Sequence, residues 1–78
     1  MNEVILMTLT VREKIKIILS RRNMTQAELA DKTEQSPQNL SNKMSRDNFS
    51  EKELIAISEA VGCTLNISFI MNDTGEEI

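Results

Sequence analysis

Ahead of Gly62, three copies of one local signal, Ser/Thr-x-x-Glu, partition this chain before any hydrophobic pattern is consulted: TVRE at 10–13, TQAE at 25–28 and SEKE at 50–53. In such a capping box the hydroxyl accepts from the backbone N–H three residues on, and the glutamate accepts from the cap residue's own N–H. Each copy therefore marks a helix start. A fourth start is Ser36-Pro37, a cap followed by proline at the first helical position, where the missing N–H costs nothing.

Apolar spacing fills in the helix beyond each start. After Thr10, the residues Val11, Ile15, Ile18 and Leu19 recur at helical intervals, and the helix is expected to end near Arg22-Asn23. The second helix, from Gln26 to about Thr33, is expected to bury Ala27, Leu29 and Ala30. The third, from Pro37 to about Ser45, has Leu40 and Met44 on its inner side. The fourth runs from Glu51 to Val61 with Leu54, Ile57 and Val61 inward, and Gly62 stops it as a residue able to adopt positive φ. Beyond Gly62 the period changes to two: Leu65, Ile67, Phe69 and Met71 alternate with Thr64, Asn66, Ser68 and Ile70, which predicts a strand over 64–71 and a turn at 72–75. A lone strand is not stable, so this one needs a partner. The candidates are Val4 to Leu9, the return after Gly75, or the same strand of a second subunit, and the last is favoured.

Composition excludes several function classes. A 78-residue chain is one domain, 1–78, with a helical part over 10–62 and a strand and tail over 63–78, and dimerisation would supplement its thin core. No apolar run exceeds four residues, as in Val4 to Met7, far short of the roughly 20 residues of a membrane span, and Glu3 stands where a signal peptide would be positive, so a cytoplasmic protein without a membrane partner is expected. There is no histidine and one cysteine, Cys63, which argues against imidazole catalysis, zinc clusters and disulfides. No enzyme activity, metal or cofactor is expected. The net charge of −3 hides an uneven distribution. Residues 12–46 carry eight basic and four acidic residues, a local +4, whereas residues 47–78 have Lys52 against seven acids, a local −6. A basic first half can still present a positive face to a polyanion.

The second and third helices and the turn between them read TQAELADKTEQSPQNLSNKM. This stretch resembles the helix-turn-helix of the Cro and phage-repressor type, also called XRE-like, in Gln26 opening the second helix, in Glu28-Leu29-Ala30, in the polar turn and in Leu40 as inner anchor. The trailing ISEAVGCTL, 57–65, is similar to the family's next helix, which ends in an aliphatic-Gly pair. The chain departs from the pattern twice. Glu34 stands where the family usually has a turn glycine, and Lys43 where it commonly has an aliphatic residue.

The resemblance implies an all-α, compact four-helix helix-turn-helix domain of the phage-repressor type, with a C-terminal β-strand able to pair in a dimer. It further implies a DNA-binding transcriptional regulator, a repressor, that lays its third helix in the major groove of double-stranded DNA. Carried over residue by residue, the base-reading candidates are Gln35, Ser36, Pro37, Gln38, Asn39 and Asn42; an amide side chain can pair with N7 and N6 of adenine at once. Gln26, Lys43, Ser45, Arg46 and Asn48 are the phosphate-binding candidates, and Leu65, Ile67, Phe69 and Met71 form the candidate dimer strand of a homodimer. Plainer roles stand beside these. Arg21 and Arg22 suit helix-dipole compensation, Lys43 and Arg46 could be surface charge, Met24 and Met44 suit core filling, and Cys63 reads as a small buried hydrophobe. A second hypothesis keeps the fold but makes it an antitoxin-like or phage or plasmid accessory protein, whose acidic strand region holds a small protein partner.

Overall fold

The structure, a computed structural model, describes residues 9–78. These residues form an all-α arrangement of four helices: α1 (Val11–Arg21), α2 (Gln26–Lys32), α3 (Pro37–Arg46) and α4 (Glu51–Ala60). All four open as the local signals dictate. Thr10, Thr25 and Ser50 accept from the N–H of Glu13, Glu28 and Glu53, and those glutamates accept in return. Ser36 accepts from the N–H of Asn39 ahead of Pro37. No described helix is long and apolar enough to cross a membrane.

The helix ends share one geometry that the sequence advertises only once. Each helix is followed by a left-handed residue: Asn23 (φ 51°), Glu34 (φ 57°), Asp47 (φ 51°) and Gly62 (φ 71°). Each time the N–H of that residue donates to the carbonyl three back, as from Glu34 to Asp31 at 3.1 Å, and the next N–H to the carbonyl five back, as from Gln35 to Ala30 at 3.0 Å. This is the Schellman closure, which satisfies carbonyls that a helix end otherwise leaves open. Glycine enters it without steric cost and Asn or Asp with little, whereas Glu34 is held there against its own preference.

The core is built around Leu29 of α2 and Leu40 of α3, both fully buried. Ile15 and Leu19 of α1, Ala30 of α2, Met44 of α3, Ile57 of α4 and Val61 complete it, with Ile18, Met24, Phe49, Ala60 and Cys63 packed around. Ala30, at 0% exposure, marks where α2 packs on its neighbours with no room for a larger side chain. Ala27, expected inside, is exposed. It lies two residues before Leu29, more than half a turn around the helix, and a seven-residue helix has only one buried face.

Two long-range polar contacts tie helix ends together. The Asp47 carboxylate accepts from the Arg12 N–H at 2.7 Å, so the residue closing α3 also caps the first turn of α1. The Arg22 guanidinium donates to the carbonyls of Val61 at 3.0 Å and Gly62 at 3.3 Å, closing the end of α4 rather than that of its own helix.

Beyond Cys63 the chain departs from the expected strand. Among the described residues no strand ladder forms. There is one antiparallel bridge, Ile70 to Glu77, flanked by Phe69 bonding Ile78 in both directions and by the Met71 N–H donating to Glu76. The return after Gly75 thus meets 64–71 only at Phe69, Ile70 and Met71. Val4 to Thr8, in the other intramolecular candidate, lie outside the described residues.

Candidate nucleic-acid interface

Because Leu40 and Met44 are both buried, the rotation of α3 is fixed, and with it the residues it turns outward. At about 100° per residue, Gln38 and Asn42 lie nearly opposite Leu40, with Ser45 beside them and Asn39, Ser41 and Arg46 on the flanks; all six are exposed. Of the base-reading candidates, Pro37 and Ser36 are also exposed, but the Ser36 hydroxyl is engaged as the cap. Gln35 is half-buried beside the end of α2.

The amides are ordered by one another. The helical repeat aligns two rows, Gln38–Asn42–Arg46 and Asn39–Lys43, and Gln35, just ahead of the Ser36 cap, joins the second through its side chain. Gln38 Nε2 donates to Asn42 Oδ1 at 3.1 Å in the first row. In the second, Gln35 Oε1 accepts from Asn39 Nδ2 at 3.4 Å and from Lys43 Nζ at 3.3 Å.

The phosphate candidates divide. Gln26, Ser45 and the outer side of Met44 line a shallow cleft of about 210 Å³ together with Ser41 and two cations of α1, Arg12 and Lys16. Arg12 is held across the cleft, its Nη1 donating to the Ser45 carbonyl at 3.4 Å. Arg46 and Asn48 are exposed at the far end of α3. Lys43 stands apart from them: its side chain is 25% exposed and its ammonium pairs with Glu53 Oε1 of α4 at 3.2 Å, so its charge is matched within the fold. The Glu53 carboxyl is held below its ordinary range chiefly by the Ser50 N–H that donates to it; burial opposes this, and the hydrogen bond and charge of Lys43 each add a smaller downward pull.

Sequence inspection missed Arg12, Lys16 and Ser41. The signal was available for the cations, since positions 12 and 16 fall on one face of α1, but nothing local says that this face borders α3. Of the candidate dimer-strand residues, Leu65 is half-buried, while Ile67, Phe69 and Met71 are 50%, 75% and 45% exposed.

The profile of a family described as a domain of unknown function, DUF6471, matches residues 9–65, from the residue before the first cap to the segment after Gly62. No curated protein and no solved structure matches the chain. The chain belongs to the DUF6471 family.

Proposed function

We propose that this member of the DUF6471 family is a sequence-specific double-stranded DNA-binding regulator, a repressor of the Cro and phage-repressor type, with α2 and α3 as its helix-turn-helix. The observation that carries this reading is the outer face of α3. Gln38, Asn39, Ser41 and Asn42 are exposed and uncharged; the cations Arg12 and Lys16 share a cleft with Ser41, and Arg46 follows Asn42 one turn along the helix. Asn and Ser, which make up three of these four positions, are poorer helix formers than Glu or Lys, so a face selected for solubility alone would be charged. A polar, uncharged helix face edged by cations suits a duplex, where phosphates supply affinity and base edges supply selectivity.

In this reading Gln35, Gln38, Asn39 and Asn42 meet base edges, Pro37 offers apolar contact, and Gln26, Arg12, Lys16, Ser45, Arg46 and Asn48 meet phosphates. Selection of bound fragments from random duplex DNA at two salt concentrations tests it. A two-fold symmetric motif with a steep salt slope is expected, and no enrichment would sink the proposal. Within that assay Gln38→Ala relaxes preference at one position, by about 1–3 kcal/mol if the amide makes a good pair. Gln26→Ala weakens binding to all sequences alike.

A homodimer follows as the assembly that would place two reading helices on adjacent half-sites. Its support is the C-terminal arm, in which every residue from 66 to 78 is exposed, Ile67, Phe69, Ile70 and Met71 among them. Large apolar side chains gathered on one exposed segment mark an interaction surface. We infer that a second copy covers it, and light scattering on Phe69→Asp should then report a monomer where the native chain is a dimer. The same arm supports a second reading, an antitoxin-like or accessory protein whose arm holds a small partner. A monomeric native chain that co-purifies with such a protein would favour it.

A further inference from the structure

The second amide row ends in an ion pair with another helix, and its hydrogen bonds have a definite direction. The Thr33 hydroxyl has one proton, which it directs to the Leu29 carbonyl at 2.8 Å, with the Ala30 carbonyl at 3.2 Å. Its oxygen is therefore left to accept from Gln35 Nε2, 2.8 Å away. That contact decides which way the Gln35 amide is turned: Oε1 must face α3, where Lys43 Nζ and Asn39 Nδ2 both donate to it. Lys43 is anchored from behind by Glu53. Glu53 is itself fixed in its capping box, its Oε2 accepting from the Ser50 N–H at 3.2 Å and its own N–H donating to Ser50 Oγ at 3.1 Å.

We propose that Lys43 is a positioning residue for base selection: braced on α4 by Glu53, it holds the Gln35 carboxamide and, through that oxygen, Asn39 in one orientation. The proposal rests on the DNA-reading function above and changes what two of its residues can do. With its oxygen taken by two donors, Gln35 offers a base only an N–H, not the joint donor and acceptor that adenine requires. Asn39 keeps its Oδ1 and a second N–H. The Gln38–Asn42 pair has no comparable brace among the described residues. Lys43 accordingly governs selectivity at the base pair met by this row and contributes nothing to phosphate affinity.

The full chain and its Lys43→Met, Lys43→Gln and Glu53→Gln variants test this by selection from random duplex DNA at two salt concentrations, with side-chain amide NMR of the DNA-free protein. Lys43→Met should change preference at one base pair per half-site by about 5- to 10-fold, the lower end of what one placed side chain discriminates, and leave the salt slope unaltered. Lys43→Gln, which can still donate to Gln35, should retain the preference, and Glu53→Gln should lose part of it. In the free protein the Gln35 and Asn39 side-chain amide resonances should move in Lys43→Met and stay near their native positions in Lys43→Gln. A uniform loss across all sequences, with a salt slope shallower by about one, is the signature of a phosphate contact and overturns the proposal. Unmoved amide resonances overturn the positioning without touching the DNA reading. A native protein that enriches no motif overturns the DNA reading, and the base-selecting role with it.

Discussion

Replacing Glu34 by glycine isolates one backbone angle. Glu34 closes α2 at φ 57°, is exposed, and has no ion-pair partner among the described residues, so removing its side chain forfeits no contact seen there. An L-residue in the left-handed region costs about 1–2 kcal/mol, which glycine avoids. Glycine in turn gives the unfolded chain more freedom to lose, roughly 0.5–1 kcal/mol. The two closing hydrogen bonds, Glu34 to Asp31 and Gln35 to Ala30, are backbone bonds and survive the change. The net gain is about 0.5–1 kcal/mol, which for a domain of this size raises Tm by roughly 2–8 °C. Urea unfolding followed by circular dichroism, at one fixed protein concentration so that association does not vary, should show a higher midpoint with an unchanged slope. Glu34→Ala is the control, because alanine removes the charge but keeps the Cβ, and it should gain little. Equal gains from alanine and glycine would trace the effect to charge or helix propensity and refute the backbone account.

Three further outcomes rest on contacts between helix ends. Asp47→Ala removes the carboxylate that accepts from the Arg12 N–H and places alanine at φ 51°, so denaturant unfolding should register a loss of about 2 kcal/mol, whereas Asp47→Asn, which tolerates the angle and keeps an acceptor, should lose less than half of that. Arg22→Ala strips two hydrogen bonds from the end of α4 and should cost about 1–2 kcal/mol in the same measurement; an unchanged midpoint would mean that water replaces the guanidinium there without loss. The Glu53 carboxyl sits below its ordinary value of 4.5 when folded, so its contribution is full above that value and disappears as pH falls through the lower folded one. Glu53→Gln should therefore flatten the acid limb of a stability-against-pH curve, and an unaltered limb would show the Ser50 and Lys43 contacts to be without weight.

Much of the helical frame was legible because its signals are local. A hydroxyl, a glutamate three residues on and an apolar repeat identify α1, α2 and α4 without knowledge of their neighbours, and Ser36-Pro37 does the same for α3. The helix ends were placed to within about a residue, but the left-handed angle that closes each was legible only at Gly62, since Asn23, Glu34 and Asp47 take the same backbone angle without the residue that normally announces it. Tertiary facts were the least accessible. That Lys43 points at Glu53 depends on where α4 crosses α3, and that Arg12 and Lys16 border Gln26 depends on the packing of α1. The sequence of 64–71 alternates, but a period of two says only which residues would share a face and nothing about what pairs with the edge, and residues 66–71 are all exposed with no ladder.

The two rows on α3 carry different evolutionary freedom. Helix α3 is held in place by Ser36, Pro37, Leu40, Met44 and Asp47, none of which belongs to the Gln38–Asn42 row. Positions 38 and 42 can therefore drift one substitution at a time, each change altering what the surface recognises while the fold stays intact. Position 43 has no such licence, because its partner lies on another helix. Among descendants of this chain, changes at 43 should arrive together with changes at 53, so that new preferences spread gradually along one side of the helix and in paired jumps along the other.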